Sequence, residues 1–311
     1  MNIELEWDGE AGTVERAERM LAESGIVVVR GGLSPRQRAE LRDIVDEWYR
    51  RFLDEEVSNY SLDEETATVV PDIWETVLRL PRKVQAFRKW NIAGLDRRFV
   101  GVVDRSPFYD IAWRFLGPDL MVTKTQMVVV PPDCAEEPYL HTDAGSLAAV
   151  IPARGGTPVM CSAQIFLSDL PVTDMGNFTC VPGSHVEPFP WEKNNTERSQ
   201  LRGVAQGGGI DSARRTQIVA RAGDVAIFTH SLWHGVSRNV SGTARYSLIL
   251  SYAKSFVRPY DYETTPGPVL EVGTPRQRRL FGVLDGWAWR PGCVYHLPEN
   301  HYAAVLPDTH R

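Results

Sequence analysis

The stretch Tyr139-Leu140-His141-Thr142-Asp143 places an imidazole and a carboxylate two residues apart. On an extended segment, side chains at positions i and i+2 point to the same side, so His141 and Asp143 can face one point in space. With one more imidazole they would form the two-histidine, one-carboxylate triad that suits non-haem Fe(II) and leaves coordination positions open. The spacing alone is a weak signal, because histidine and aspartate fall two apart by chance in many proteins.

Two histidines compete for the third ligand position. His230 and His234 both lie just after a predicted buried strand at 224–228. A histidine in an apolar segment is more often a packed core residue than a ligand, so the choice depends on the sequence beyond each candidate. His234 is preferred because Arg245 comes eleven residues later, at the start of another apolar strand.

Arg245 is the second chemical signal. An arginine that enters a buried strand is costly unless it is paired, and no acidic residue lies nearby in the sequence. A bound dicarboxylate would supply the pairing, because a guanidinium holds a carboxylate through two parallel hydrogen bonds. A salt bridge on an edge strand is the alternative explanation.

The composition is that of an ordinary globular protein and limits the classes of partner. The 311 residues are 43% hydrophobic and 24% charged, which allows one large domain or two small ones. The net charge of −6 leaves no basic excess for phosphates, so broad nucleic-acid binding is not expected. No apolar run approaches the roughly 18 residues that a membrane span requires. Four scattered cysteines and an acidic N-terminus without a signal pattern predict a cytoplasmic protein with free thiols.

The N-terminal third has mainly helical patterns. Ser34 and Pro35 supply an N-cap and a first helical position for the longest of them. The predicted elements are, in chain order, a helix over 13–24, a β-branched strand at 26–29, a helix over 35–52, a loop over 54–71, a helix after Asp72, a helical piece with Lys83, Val84 and Phe87, and a helix over 107–116.

From Leu120 the pattern changes to short β-rich runs separated by Gly and Pro, which predicts a β-sandwich or barrel rather than a parallel α/β sheet. A polar insertion at 187–213 is predicted to be a lid, with plain disorder as the alternative. The tail at 256–311 is predicted to be an extension with a short helix at 275–284. The β-rich runs are 120–130, 159–167, 177–181, 216–220, 224–228 and 243–253.

Several ordered motifs give the chain a specific resemblance to one family. They are Lys83–Phe87, Phe115–Met121, Pro131–Asp133, His141–Asp143, Gly176–His185, Gly223–Asp224, His234–Gly235, Asn239 and Arg245. On these motifs the sequence resembles the phytanoyl-CoA dioxygenase family of Fe(II)- and 2-oxoglutarate-dependent oxygenases. The resemblance implies one dioxygenase domain over 1–311. It would be mainly β with flanking helices: a mostly helical part at 1–118 and a double-stranded β-helix (jelly-roll, cupin-like) core at 119–255.

The resemblance also implies roles for individual residues. His141, Asp143 and His234 would bind the iron, and Arg245 would hold the far carboxylate of 2-oxoglutarate. A plain structural role is an equal alternative for the lesser co-substrate candidates, which are Lys83, Thr125, Gln126, Gln164 and Ser247.

Three further positions bear on these roles. A family relative has serine where this chain has Val236 and histidine where it has Lys124, so both positions bear on co-substrate contacts and substrate choice. His185 follows Pro182-Gly183-Ser184 and is predicted to be a structural turn residue, because that sequence is turn chemistry.

The activity that the resemblance implies is hydroxylation of an unactivated C–H bond in a small molecule, with O2 and 2-oxoglutarate consumed and succinate and CO2 released. Asp143 argues against a halogenase, where a small residue at this position leaves room for chloride. Desaturation and ring formation stay open as other outcomes of the same chemistry. Two other classes of protein also stay open: a non-catalytic β-barrel binding module, and a metal hydrolase, since zinc accepts the same ligands. The hydrolase would leave Arg245 unexplained. Neither the substrate nor the oligomeric state follows from the sequence.

Overall fold

A computed structural model describes residues 2–59, 80–135, 140–143, 158–187, 212–259, 261–283 and 303–308. The predicted loop after Asn59, the predicted helix after Asp72 and all but the ends of the predicted lid at 187–213 lie outside these residues. Within the described ranges, strands form two sheets, and helices add to the apolar core on one face of the larger sheet.

Two helices near the N-terminus lie close to their predicted bounds, and the longer one confirms its predicted N-cap. Helix α1 (Ala11–Ser24) ends at Gly25, which takes the left-handed conformation with φ of 75°. Helix α2 (Pro35–Leu53) begins with a capping box, because the Ser34 hydroxyl accepts from the Gln37 amide and the Gln37 side chain accepts from the Ser34 amide. Among the described residues, none of the helices combines the length and the apolar composition of a membrane span.

The remaining helices are short. They are α3 (Ile92–Leu95), α4 (Phe108–Leu116), α5 (Gly267–Val272) and α6 (Pro275–Leu280). Helix α4 lies at nearly its predicted bounds, whereas α6 ends at Leu280, before the predicted end at 284.

The strands in the described residues are β1 (Glu4–Glu6), β2 (Ile26–Arg30), β3 (Phe87–Trp90), β4 (Leu120–Val130), β5 (Leu140–His141), β6 (Met160–Phe166), β7 (Phe178–Cys180), β8 (Thr216–Gln217), β9 (Val225–Thr229), β10 (His234–Val236) and β11 (Arg245–Lys254). They form a seven-stranded sheet in the order β1-β2-β9-β6-β11-β4-β3 and a four-stranded sheet in the order β5-β10-β7-β8. The long strands β4 and β11 are antiparallel neighbours in the larger sheet.

The two faces of the large sheet have different neighbours. On β4, Met127 and Val129 belong to the main core with the helices, whereas Val128 and Val130 pack with Val236 of β10 in the small sheet. Alternation along a strand explains this division. We call the face that carries Val128 and Val130 the inner face, because it packs against the small sheet.

The prediction of a helical piece with Lys83, Val84 and Phe87 was wrong. A single 3-10 turn spans Arg82–Val84, and the chain then forms strand β3, in which Phe87 pairs with Val129 of β4. Pairing with the edge of the sheet overrides the local helical pattern, because it buries Phe87 and satisfies the backbone hydrogen bonds of the strand.

Candidate metal centre

Strand register brings the two candidate imidazoles together. His141 ends β5 and His234 begins β10, and the two residues are directly opposed in the antiparallel pair. Their ring centroids lie 4.4 Å apart. Asp143 follows β5 by two residues, and one ligand atom from each of the three side chains lies within 4.8 Å of the others.

The distances and ring orientations suit a shared cation. Oδ1 of Asp143 lies 3.9 Å from Nε2 of His141 and 3.7 Å from Nε2 of His234. Nδ1 of His234 lies 2.9 Å from the Leu232 carbonyl, to which it can donate, and this leaves the Nε2 lone pair for a metal. Phe178 stacks on the His234 ring at 5.4 Å and fixes its plane.

A hydroxyl pair orients the carboxylate. Oγ of Ser162, on β6, donates to Oδ2 of Asp143 at 3.1 Å, and Ser162 lies 2.9 Å from the hydroxyl of Ser251 on β11. These serines were not predicted as site residues. Ser162 precedes the predicted contact Gln164 by two positions, so strand alternation alone could have placed both on the same face.

The electrostatics of the site favour the protonation states that a metal requires. Burial lowers the pKa of His141 to about 3, and burial also lowers the pKa of His234. Burial acts to raise the pKa of Asp143, but the positive charge of Lys124 and the hydrogen bond from Ser162 act to lower it, and the net shift is downward. Two neutral imidazoles beside an ionised carboxylate are ready to bind a cation without first losing protons.

This donor set fits Fe(II). Two imidazole nitrogens and one carboxylate oxygen are ligands that ferrous ion accepts on one face, with the opposite positions left for other molecules. The depressed pKa values and the Ser162 hydrogen bond provide the ionisation and orientation that such a site needs.

A second group of polar side chains lies on the inner face and fits a carboxylate. Arg245 is buried at the start of β11, with 1% of its surface exposed, and pairs with Val130. Two residues on, the hydroxyl of Ser247 is fully buried and has no hydrogen-bond partner among the described residues. Within the same part of the chain, Nε2 of Gln164, on β6, is also buried without a partner. A bound anion would satisfy buried donors that lie on the same face of the sheet as a buried guanidinium.

The other predicted co-substrate residues are distributed differently. Gln126 is buried and opposes Ile249 of the inner face. Thr125 points to the opposite face, where its hydroxyl accepts a hydrogen bond from the Ala93 amide. Lys83 is exposed on the turn before β3. The structure therefore brings Gln126, but neither Thr125 nor Lys83, to the buried inner face with Arg245.

His185 and His230 lie outside the group of three candidate metal ligands. His185 lies in the 3-10 turn Ser184–Val186, and its Nε2 is 3.0 Å from the carbonyl of Ala22 at the end of α1, which is a structural contact. His230, the competitor for the third ligand position, lies outside the group of three but is also buried near it.

The sequence matches the family model described as "Phytanoyl-CoA dioxygenase (PhyH)" over residues 21–247. A curated relative, the dioxygenase cdmA of Talaromyces verruculosus, is 31% identical over 124 residues. That match covers 40% of this chain and only 35% of the relative.

Solved structures show the same fold at low sequence identity. HygX from Streptomyces hygroscopicus, solved with nickel, 2-oxoglutarate and hygromycin B, is 18% identical with a TM-score of 0.55, covering 78% of this chain and 88% of HygX. SnoK, a non-haem α-ketoglutarate-dependent carbocyclase from nogalamycin biosynthesis, is 20% identical with a TM-score of 0.53. The match covers 83% of this chain and 90% of SnoK. The epimerase SnoN, from the same biosynthesis, is 19% identical with a TM-score of 0.55, covering 91% of both chains.

Proposed function

Because the chain belongs to the phytanoyl-CoA dioxygenase family of Fe(II)- and 2-oxoglutarate-dependent oxygenases, we propose that it hydroxylates an unactivated C–H bond of a small molecule. In this reaction one atom of O2 enters the product and the other enters succinate, which forms from 2-oxoglutarate with loss of CO2. When bound, ferrous ion and 2-oxoglutarate supply the oxidising chemistry, and the protein supplies binding, orientation and exclusion of water.

The three side chains of the metal centre have distinct tasks in this proposal. His141 and His234 offer neutral nitrogens from opposed strands, and Asp143 offers the anionic oxygen. Ser162 and the Leu232 carbonyl hold the carboxylate and the His234 ring in orientations that keep their ligand atoms turned toward one another. Rigid strands and these hydrogen bonds preorganise the ligands before any metal arrives.

The inner-face group would hold the co-substrate. Arg245 would take the far carboxylate of 2-oxoglutarate through its planar fork, with Ser247 as a further donor. Gln164 on β6 and Gln126 on β4 both pair with Ile249, which lies between Ser247 and Ser251 on β11. The rest of the co-substrate would lie against these two side chains.

The observation that carries the proposal is the combination of a preformed two-histidine, one-carboxylate cluster with a buried arginine on the same interior of the fold. A metal hydrolase would use the first feature and leave the second without a ligand. A non-catalytic module would not need open positions on a metal beside a carboxylate-binding group.

The neighbours indicate the kind of substrate. The HygX structure contains hygromycin B, a small molecule, and SnoK and SnoN come from nogalamycin biosynthesis. We propose a substrate of that general class for this chain, rather than a macromolecule.

Succinate release tests the proposal. Purified protein is supplied with Fe(II), 2-oxoglutarate and O2, and a panel of small metabolites is screened for stimulated succinate formation and for product that gains the mass of one oxygen atom. We expect at least one compound to do both, and Asp143→Ala to do neither. Stimulated succinate that persists in Asp143→Ala, or a panel that never stimulates it, would refute the proposed function.

A further inference from the structure

His230 lies on the inner face just beyond the metal centre. On β9, Phe228 pairs with Ser162, the residue that donates to Asp143. The pairing continues past the end of β9, because the His230 amide donates to the carbonyl of Met160, two residues before Ser162. His230 therefore lies one step along the sheet from the metal-site serine, on the side away from the co-substrate group around Ser247.

The ring of His230 is buried with one nitrogen unused. Its Nδ1 lies 3.1 Å from the Met160 carbonyl and carries the proton that it donates there. Nε2 is then a hydrogen-bond acceptor, yet it has no partner among the residues that the structure describes, and only 6% of the residue is exposed. Buried hydrogen-bond acceptors are normally satisfied, so an unsatisfied acceptor near a reaction centre indicates a position at which a ligand donates a hydrogen bond. Burial also lowers the pKa of His230, which keeps the ring neutral and Nε2 an acceptor near neutral pH.

The charge around the metal centre limits what can donate to Nε2. Lys124 opposes Ser251 on the sheet, at the level of the metal-site serines. Its positive charge acts on Asp143 and on both metal-site imidazoles. A substrate ammonium group would be repelled by Lys124 and by a bound metal cation, whereas a neutral hydroxyl would not.

We propose that Nε2 of His230 accepts a hydrogen bond from a hydroxyl group of the substrate and thereby selects hydroxyl-bearing substrates and positions them at the metal centre. This inference rests on the proposed function and deepens it, because it assigns a substrate feature to the side of the metal opposite the co-substrate. A site with a fixed polar partner discriminates strongly against an analogue that lacks the matching group.

Three variants separate this role from a structural one. His230→Asn places an amide near the position of Nδ1, so it can keep the bond to Met160 while losing the acceptor at Nε2. His230→Gln places an amide oxygen near the position of Nε2 and can restore the acceptor. His185→Gln changes a buried histidine outside the site, where Gln can keep the bond to Ala22, and serves as the matched control.

The measurement is discrimination between paired compounds. Sugars, polyols, hydroxy acids and aromatic polyketides, each with deoxy or O-methyl counterparts, are compared by kcat/KM for stimulated succinate release. We expect the wild type to favour the best hydroxyl compound over its counterpart by roughly tenfold to a hundredfold. We expect this ratio to fall toward one in His230→Asn, mainly through KM, to recover in His230→Gln and to persist in His185→Gln.

Several outcomes would overturn the inference. A ratio that is unchanged in His230→Asn, or a panel that responds only to compounds without a hydroxyl, would show that His230 does not select this group. Both results would leave stimulated succinate release intact, and with it the proposed function. Absence of stimulated release with every compound would overturn the proposed function and this inference together.

Discussion

Replacing Arg245 by methionine tests the co-substrate site most sharply. Methionine keeps much of the buried stem while removing the guanidinium, so the change reports on lost hydrogen bonds more than on lost volume. Arg245 has 1% of its surface exposed, and its pairing with Val130 places it on the inner face. A charged hydrogen bond is worth about 1.5–3 kcal/mol, so losing a two-pronged contact costs about 3 kcal/mol or more. That corresponds to roughly a hundredfold rise in the 2-oxoglutarate concentration required.

The assay compares 2-oxoglutarate with 2-oxovalerate, in which a methyl group replaces the far carboxylate. Half-saturating concentrations are measured for both, with iron binding followed separately. The wild type should strongly prefer 2-oxoglutarate, and Arg245→Met should lose most of that preference while still binding iron. Arg36→Ala is the control, because the Arg36 side chain is 89% exposed and pairs with Glu40 on the surface of α2. An undiminished preference for 2-oxoglutarate in Arg245→Met would refute the assignment.

Three other variants test separate parts of the structure. Ser162→Ala removes the hydrogen bond to the metal-site carboxylate, so Fe(II) affinity should fall about tenfold or more; an unchanged dissociation constant would count against that role. Burial raises the pKa of Asp261 from 3.8 to about 6, so folding favours its protonated form and this carboxyl makes the protein more stable as pH falls from about 6 to about 4. Asp261→Asn should remove that component, stabilise the protein at pH 7.5 relative to the wild type and lose the advantage near pH 4, as checked by urea unfolding at both pH values. Gly25→Ala should destabilise the fold by about 2 kcal/mol or more, because φ at Gly25 is +75° and the added Cβ would lie 2.7 Å from the ring of His185. Gly12 has open space around it, so Gly12→Ala should not destabilise the fold by this amount. Equal unfolding midpoints for the two variants would contradict this prediction.

The strands that build the interior were predictable at close to their observed bounds. The run predicted at 120–130 is β4, and the run at 243–253 is β11 displaced by one or two residues. Their β-branched composition and the flanking Gly and Pro are local signals, so one sequence suffices to find them. The family match confirms the predicted family, the enzyme class and the Fe(II), 2-oxoglutarate and O2 requirement that this family has. The solved neighbours confirm the predicted fold.

Edge pairing was harder to predict. The sequence before and within strand β3 favours a helical piece, because Lys83, Val84 and Phe87 fit a helical spacing. The strand forms by pairing with β4, about forty residues away, and a local pattern does not show that pairing. Strand β1 (Glu4–Glu6) was not predicted at all, since three residues of mostly exposed sequence carry no pattern, and the parallel pairing with β2 that defines it is non-local.

The site shows the same division between local and non-local information. The spacing of His141 and Asp143 is a local signal, and so is the position of Arg245 at the start of a buried strand. The spacing to Arg245 favours His234 over His230, but the pairing that sets His234 opposite His141 depends on the register between β5 and β10, which no local pattern encodes. The opposite orientations of Thr125 and Gln126 follow from strand alternation once one residue of β4 is placed, so that distinction was within reach of the sequence.

We propose that His141, Asp143 and His234 hold ferrous ion together with 2-oxoglutarate. The most direct measurement is anaerobic titration of the protein with Fe(II) in the presence of 2-oxoglutarate, followed by visible absorption. We expect a weak charge-transfer band that saturates at one Fe(II) per chain and is absent in Asp143→Ala. A band of equal intensity and affinity in Asp143→Ala, or no band in the wild type at saturating Fe(II), would contradict the claim.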